Sequence, residues 1–486
     1  MTRAISITLM LLVALSPEPL HAQAVADQIG LTALRNRLGS ATPTGAGVPL
    51  MLTEGQVAPN AYLPDAASPE LAMKIVHDRS GGGLNSVHAT SVAIIGFGGF
   101  TGIAPGVPQI DAYRISFTFD PGDWISGAYL NFQGGLPVPT SELRVQNHSW
   151  VAGPVFSSEA QQVIRRFDFA LQRDNVVAAV GAGNQTGQPV PSMLAYSYNA
   201  IVVGNSNGAS NWGPTGGDLP GRSKPDIVGP YGVTSYSTPV VSACAAILLE
   251  TADMLGNSHR GRMEVVKASL LSGATKEVFT SQGTPWTRFN NGTFIEPLDR
   301  RFGAGHVNIN RSHMILSADE KIGTDLFLDG DTGWDFESLT QVGEVRRYFF
   351  DLGDVTNVTF SATATWLRHI TPTGTGNDLF ETSSATVARF ELRLFEVNPD
   401  LSLTLIDASL SPIDNVQHLY RVDLAGQKRY GLELMLADLP AGRSAEDVAI
   451  AWFTSYTPVP EPSSLALLLA LSLPVALLRR GNKSAK

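Results

Sequence analysis

Between residues 46 and 318, short apolar runs alternate with stretches of helical period. "VAIIGFG", "NVVAAVGAGN" and "NAIVVGNSN" read as strands, continuous and apolar and bounded by Gly or Asn. "SSEAQQVIRRFDFALQRDN" and "PVVSACAAILLETADML" read as helices. Strands without polar alternation belong to a sheet covered on both faces. Strand and helix in turn predict an α/β domain built on a parallel sheet. Residues 25 to 45 predict a short helix and a Gly-rich turn. Residues 115 to 145 carry Pro, Gly and aromatic side chains with no period, as an insertion would. From about 319 the texture changes. "VRRYFFDLG", "VTFSATATW", "ARFELRLFEV", "LYRVDLA", "YGLELML" and "VAIAWF" alternate partially, and no helical pattern separates them. That predicts an antiparallel β-sandwich of six to eight strands over residues 319–456.

The two ends follow other rules. "MTRAISITLMLLVALSPEPLHAQA" has an early Arg, an apolar run and small residues at Ala22 and Ala24, which predicts a secretory signal peptide over 1–24. At the other end, residues 457–486 contain Pro-Glu-Pro at 460–462, an apolar run from Leu465 to Leu478 and the pair Arg479–Arg480. The run is short for a full span and contains Pro474. Basic residues behind it favour a cytoplasmic end, as in a plain C-terminal anchor.

With 486 residues and a net charge of −10, the chain has room for two domains, and it shows no basic stripe for nucleic acid. One cysteine, Cys244, excludes an internal disulfide, and its Ala, Val, Ile and Leu neighbours mark it as a core residue. His and Cys show no metal-ligand spacing.

The informative stretch is "GVTSYSTPVVSACAA". Ser235 stands at the mouth of an apolar helix. A hydroxyl there is either a helix cap or a nucleophile. A proline in the first turn costs no intrahelical bond, and Pro239 is expected to be tolerated on that ground.

The segment "GRSKPDIVGPYGVTSYSTPVVSACAAILL" resembles the subtilisin-like serine peptidases. Their nucleophile motif GTSxAxP follows a KPDI-type stretch. Lys224, Pro225, Asp226, Ile227, Thr234, Ser235 and Pro239 match, while Val233 and Ser237 stand where the family has Gly and Ala. "VHATSVAIIG" resembles the histidine motif HGTxVA, with His88 in place and Ala89 where the family has Gly. "TGIAPGVPQIDAY" resembles the GVAP segment that follows it. "GAGVPLMLTEGQV" puts Glu54 where the family strand carries its aspartate. Asp65 and Asp78 are the next carboxylates should Glu54 fail.

The resemblance also covers "NVVAAVGAGNQ", which puts Asn184 in the place of the oxyanion donor with Gly183 before it. "VQNHSWVAGP" resembles the strand beside the substrate, so that Ser149, Trp150 and Gly183 would border the specificity pocket. "RFGAGHVNIN" resembles the segment that closes the domain. The order acid, histidine, serine is that of subtilisin.

The resemblance therefore implies a subtilisin-like α/β domain over 25–318. It implies a Glu54–His88–Ser235 triad with Asn184 as oxyanion donor, a polypeptide substrate and no cofactor. No separate pro-domain is expected ahead of Gly47. The C-terminal tail resembles the PEP-CTERM sorting signal of Gram-negative bacteria. That implies export to the cell surface or matrix, passing contact with the membrane, and removal of the tail by an exosortase-type protease. The substitutions Ala89, Val233 and Ser237 keep a second expectation open, a catalytically impaired relative acting as a surface scaffold.

Overall fold

In a computed structural model, the structure describes residues 19–459 apart from 57, 117–119, 133–134, 141, 153–157, 282, 325–327, 377–378 and 382–384. The expected signal peptide lies outside the described residues up to position 18, and the expected sorting tail lies outside them from 460 onward. Two short helices open the described chain, α1 (Pro19–Gln28) and α2 (Leu31–Leu38). Gly30, at φ 73°, separates them.

Seven parallel strands form the central sheet: β1 (Leu50–Gly55), β2 (Ile75–Asp78), β3 (Gln109–Ile115), β4 (Val145–His148), β5 (Val177–Gly181), β6 (Ile201–Asn205) and β7 (Ile227–Gly229). Their order is β7-β6-β5-β4-β1-β3-β2, every pairing parallel. With its helices this is the expected α/β architecture, consistent with a subtilisin-like fold. The chain winds outward from β1 in one direction to β2 and β3, and in the other to β4 through β7. The carboxyl ends of β1 and β4 therefore open at a topological switch point, where α/β sheets place their ligand sites.

Two helices bring side chains to that point. Helix α3 (Val87–Phe97) starts at Ser86, whose hydroxyl accepts from the Ala89 N–H at 3.2 Å. It contains most of "VAIIGFG", which the periodicity assigned to a strand. An apolar run buried on nearly every side looks the same in either state. Strand β3 was missed for the opposite reason: Gln109, Asp111 and Arg114 interrupt its apolar pattern, and only a motif resemblance covered it.

Helix α4 (Ser158–Asp174) connects β4 to β5, and helix α5 (Thr234–Leu255) runs through the core with Val240, Val241, Ala243 to Ala246, Ile247 and Leu248 fully buried. Each large aliphatic side chain buried there contributes about 1.5–3 kcal/mol. Its length and composition would suffice to cross a membrane, but 78% of its apolar window is buried in the fold. The helix begins five residues before Pro239. The bond that an N–H at 239 would make to the Ser235 carbonyl is therefore missing, contrary to the expectation that this proline costs nothing. Gly96 of α3 packs on the same place, and a Cβ there would lie 3.2 Å from Pro239 Cβ. The two helices thus cross closely near the site.

Beyond helix α6 (Met263–Gly273) and helix α7 (Ile309–Ser317), the chain forms two four-stranded antiparallel sheets. One contains β8 (Gly333–Leu339), β10 (Val355–Trp366), β13 (Val416–Leu424) and β15 (Glu446–Pro458), in the order β8-β15-β10-β13. The other contains β9 (Val345–Leu352), β11 (Arg389–Val397), β12 (Leu403–Ser409) and β14 (Lys428–Asp438), in the order β9-β14-β11-β12. Tyr348, Phe350, Phe360, Trp366, Phe390 and Trp452 form the core between them. The first sheet docks on α6. There Thr365 donates to the Glu264 carbonyl at 2.8 Å, and Ser272 to the Ser361 carbonyl at 3.0 Å.

Candidate active site

Glu54 is the penultimate residue of β1 and follows four buried residues, so its carboxylate enters the protein at the switch point with 3% of its surface exposed. His88, in the first turn of α3, places Nδ1 at 2.8 and 2.9 Å from the two Glu54 oxygens. Burial pushes the Glu54 carboxyl above its ordinary range, and the histidine opposite only partly pulls it back. Burial acts downward on His88. The charge and hydrogen bond of Glu54 outweigh it, and the imidazole pKa ends above its ordinary value. The extra methylene of glutamate does not keep the carboxylate from the ring nitrogen. Asp65 and Asp78 are engaged elsewhere: Asp65 accepts from Asn85 and from the Ala67 N–H, and Asp78 from Tyr62 and the turn that follows it.

Ser235 is the second residue of α5. The N-cap is Val233, at φ −133° and ψ 140°, whose own side chain makes no capping bond. Ser235 is therefore not a cap. Val233 is in ordinary extended backbone, so the β-branched residue in the glycine's place brings no strain. Ser237 fits by donating to Asn205 at 3.1 Å. Tyr236, which the sequence did not single out, stacks on the His88 ring with centroids 6.2 Å apart and planes at 24°. This contact brings the histidine against the turn that carries Ser235. Among the described residues, no hydrogen bond joins Ser235 to His88.

Asn184 follows β5. Its Oδ1 accepts from the Thr234 N–H at 2.8 Å and from the Thr234 hydroxyl at 3.0 Å. A backbone donor on Oδ1 fixes which way the amide faces. Among the described residues, the Asn184 amide nitrogen and the Ser235 N–H have no hydrogen-bond partner. Two donors are thus left beside the N-terminus of α5, where the helix dipole favours negative charge. Gly183 adopts φ +98°, and a Cβ on it would fall 2.5 Å from Asn211 Oδ1, so only glycine makes this turn.

Ser149 and Trp150 follow β4. Ser149 is buried and accepts from Asn147 at 3.0 Å. Trp150 borders a small pocket with Val180, Gly181, Pro191, Met193 and Leu194. Ser242 of α5 donates to Asn147 at 3.0 Å and ties that helix to β4. Cys244 is buried and free, with its thiol pKa pushed up by burial. Among the described residues, no group of three or more His, Cys, Asp or Glu is placed to hold a metal ion.

No curated protein matches the chain significantly. Among solved structures, an epidermin leader peptide processing serine protease from Staphylococcus aureus is 13% identical. That match covers 63% of this chain and 84% of the other, at a TM-score of 0.40. The periplasmic g-type lysozyme inhibitor of Aeromonas hydrophila is 11% identical over 26% of this chain and 87% of its own, at 0.16. A mitogen derived from Yersinia pseudotuberculosis is 10% identical over 25% and 90%, at 0.12. Likenesses this distant carry no functional argument. The segment that holds His88, Asn184 and Ser235, residues 77–305, matches the subtilase family, and Glu54 stands ahead of it.

Proposed function

We propose that this protein is an exported serine endopeptidase that hydrolyses peptide bonds through an acyl-enzyme on Ser235. The observation that carries the reading is the buried Glu54 carboxylate with both oxygens on His88 Nδ1, beside the start of α5. A carboxylate there keeps the proton on Nδ1 and leaves Nε2 free to act as base. In the proposed reaction, Ser235 Oγ attacks the scissile carbonyl and its proton passes to His88. The Ser235 N–H and the Asn184 amide hold the oxyanion. His88 then protonates the leaving amine as the carbon–nitrogen bond breaks. Water repeats the sequence on the acyl-enzyme and releases the carboxylic acid.

The proposal includes the ends of the chain. An N-terminal signal directs export, and a sorting protease removes the tail after Pro-Glu-Pro at 460–462, leaving the enzyme at the surface or in the matrix of a Gram-negative cell.

The test of activity is labelling of the purified protein by a fluorophosphonate probe, with Ser235→Ala as control. Labelling that needs Ser235, together with cleavage of an unfolded protein substrate, supports the enzyme. One observation favours a second reading, a catalytically impaired surface scaffold: the absence of a Ser235–His88 hydrogen bond among the described residues. Catalytic hydrogen bonds often tighten only when substrate binds. Absence of labelling in a folded protein would favour the scaffold.

A further inference from the structure

The pocket beside the site is a shallow one: about 170 Å³ of empty space counted with its open mouth, of which the interior has room for about one water molecule. It is filled by a group about the size of a methyl. It also adjoins the chemistry. A Cβ on Gly181 in its wall would be 3.3 Å from Thr234 Oγ1, and a Cβ on Gly55, next to Glu54, would be 3.8 Å from Trp150 Cβ. The side chains that line it are all apolar, so a charged side chain entering it would lose water and meet no opposite charge.

The indole of Trp150 is not an adaptable wall. Its Nε1–H donates to Thr53 Oγ1 at 2.8 Å. The Thr53 hydroxyl is 2.7 Å from His148 Nδ1, and His148 Nε2 is 3.0 Å from Gln146 Oε1. The Gln146 amide donates to the Tyr129 hydroxyl at 2.8 Å. Thr53, His148, Gln146 and Tyr129 are all fully buried. The Thr53 hydroxyl is fixed by His148 and by the Asn147 carbonyl, so turning the indole would take its buried N–H away from a positioned acceptor. Trp124 packs edge-on against both His148 and Trp150, at 5.0 and 6.4 Å between centroids.

We propose that Trp150, held by this buried chain of hydrogen bonds, restricts the site to substrates with a small aliphatic side chain on the acyl side of the scissile bond. The proposal rests on the peptidase reading for what the pocket is for, but its selectivity is measurable without turnover. Ser235→Ala protein would be titrated calorimetrically with N-acetyl peptides of sequence Ala-Ala-Ala-X bearing a free carboxylate, with X as Ala, Val or Phe.

The Ala and Val peptides should bind about tenfold or more tighter than the Phe peptide, the scale of discrimination a hydrophobic pocket achieves. Adding Trp150→Ala should reverse that order. Trp150→Leu keeps an apolar side chain in place should the alanine variant not fold. Thr53→Val, which keeps the shape and removes the anchor, should narrow the Ala-to-Phe ratio. Equal affinities, a preference for Phe, no binding of any peptide, or an order unmoved by the Trp150 variants would overturn the proposal. Fluorophosphonate labelling of the parent reads the peptidase assignment separately. Selective binding without labelling removes the enzyme and keeps the pocket.

Discussion

Replacing Glu54 by glutamine changes one carboxylate oxygen into an NH₂ and alters the size of nothing. Both oxygens are within 2.9 Å of His88 Nδ1, and the carboxylate is too deeply buried for water to take its place. The carboxylate requires the proton on Nδ1. An amide can turn its NH₂ toward Nδ1 instead, which places the ring proton on Nε2, where it faces Ser235 and prevents the ring from acting as base. The imidazolium formed during reaction also loses its counter-charge. Loss of the acid from serine triads costs about 10⁴ in turnover. At about 1.36 kcal/mol per factor of ten, that is on the order of 5 kcal/mol of transition-state stabilisation. The fold should survive, because burial already opposes the charge on Glu54 and the substitution removes that opposition. The assay is turnover of a peptide substrate by parent, Glu54→Gln and Ser235→Ala, alongside their thermal melts. Turnover within about tenfold of the parent, in a variant that melts like it, would refute the assignment of Glu54.

The pH profile gives a second test. Burial lowers the His88 pKa, but the Glu54 charge and hydrogen bond raise it further, to above the ordinary value of 6.5. The neutral ring is the base, so kcat/KM should rise with pH through an acid limb above 6.5. In Glu54→Gln only burial remains, and the limb should move to lower pH; a limb that stays in place contradicts the coupling. In stability the same shift has the opposite sense. The His88 contribution is fully present below the unfolded value near 6.5 and is lost as pH rises through the folded pKa, which urea unfolding across pH would report. Asn184→Ala should lower kcat by about 10²–10³ with KM little changed, since the amide acts on the developing oxyanion. A loss confined to KM would make it a pocket residue. Intact-mass measurement of protein from the native host should give a C-terminus near 462 if the tail is processed, whereas a chain ending at Lys486 would favour the plain anchor.

Much of the architecture was legible because it depends on local periodicity. Alternating apolar runs and helical stretches indicate a parallel sheet with helices wherever they occur, and the partial alternation after residue 319 indicates a sandwich. Its eight described strands include two, Gly333–Leu339 and Leu403–Ser409, that were not picked out singly. The chemistry-bearing groups Glu54, His88, Asn184 and Ser235 were also visible, through motif resemblance. Periodicity failed where an element is buried on all sides. Val92 to Phe97 looked like a strand and is a helix, because a fully apolar run carries no phase.

What the sequence by itself determined, then, was the set of elements and the inventory of functional groups, since both follow from neighbours a few residues apart. Which groups meet depended on the order of the strands. Glu54 meets His88 across 34 residues of chain once β1 has paired with β3, the sheet strand that follows helix α3. The stacking of Tyr236 on His88, the pinning of the Asn184 amide by Thr234 and the buried line from Trp150 to Tyr129 arise in the same way. Each joins residues from separate elements, or from the two faces of one strand's surroundings. No spacing along the chain encodes such contacts; they exist only once the sheet and its two crossing helices have packed.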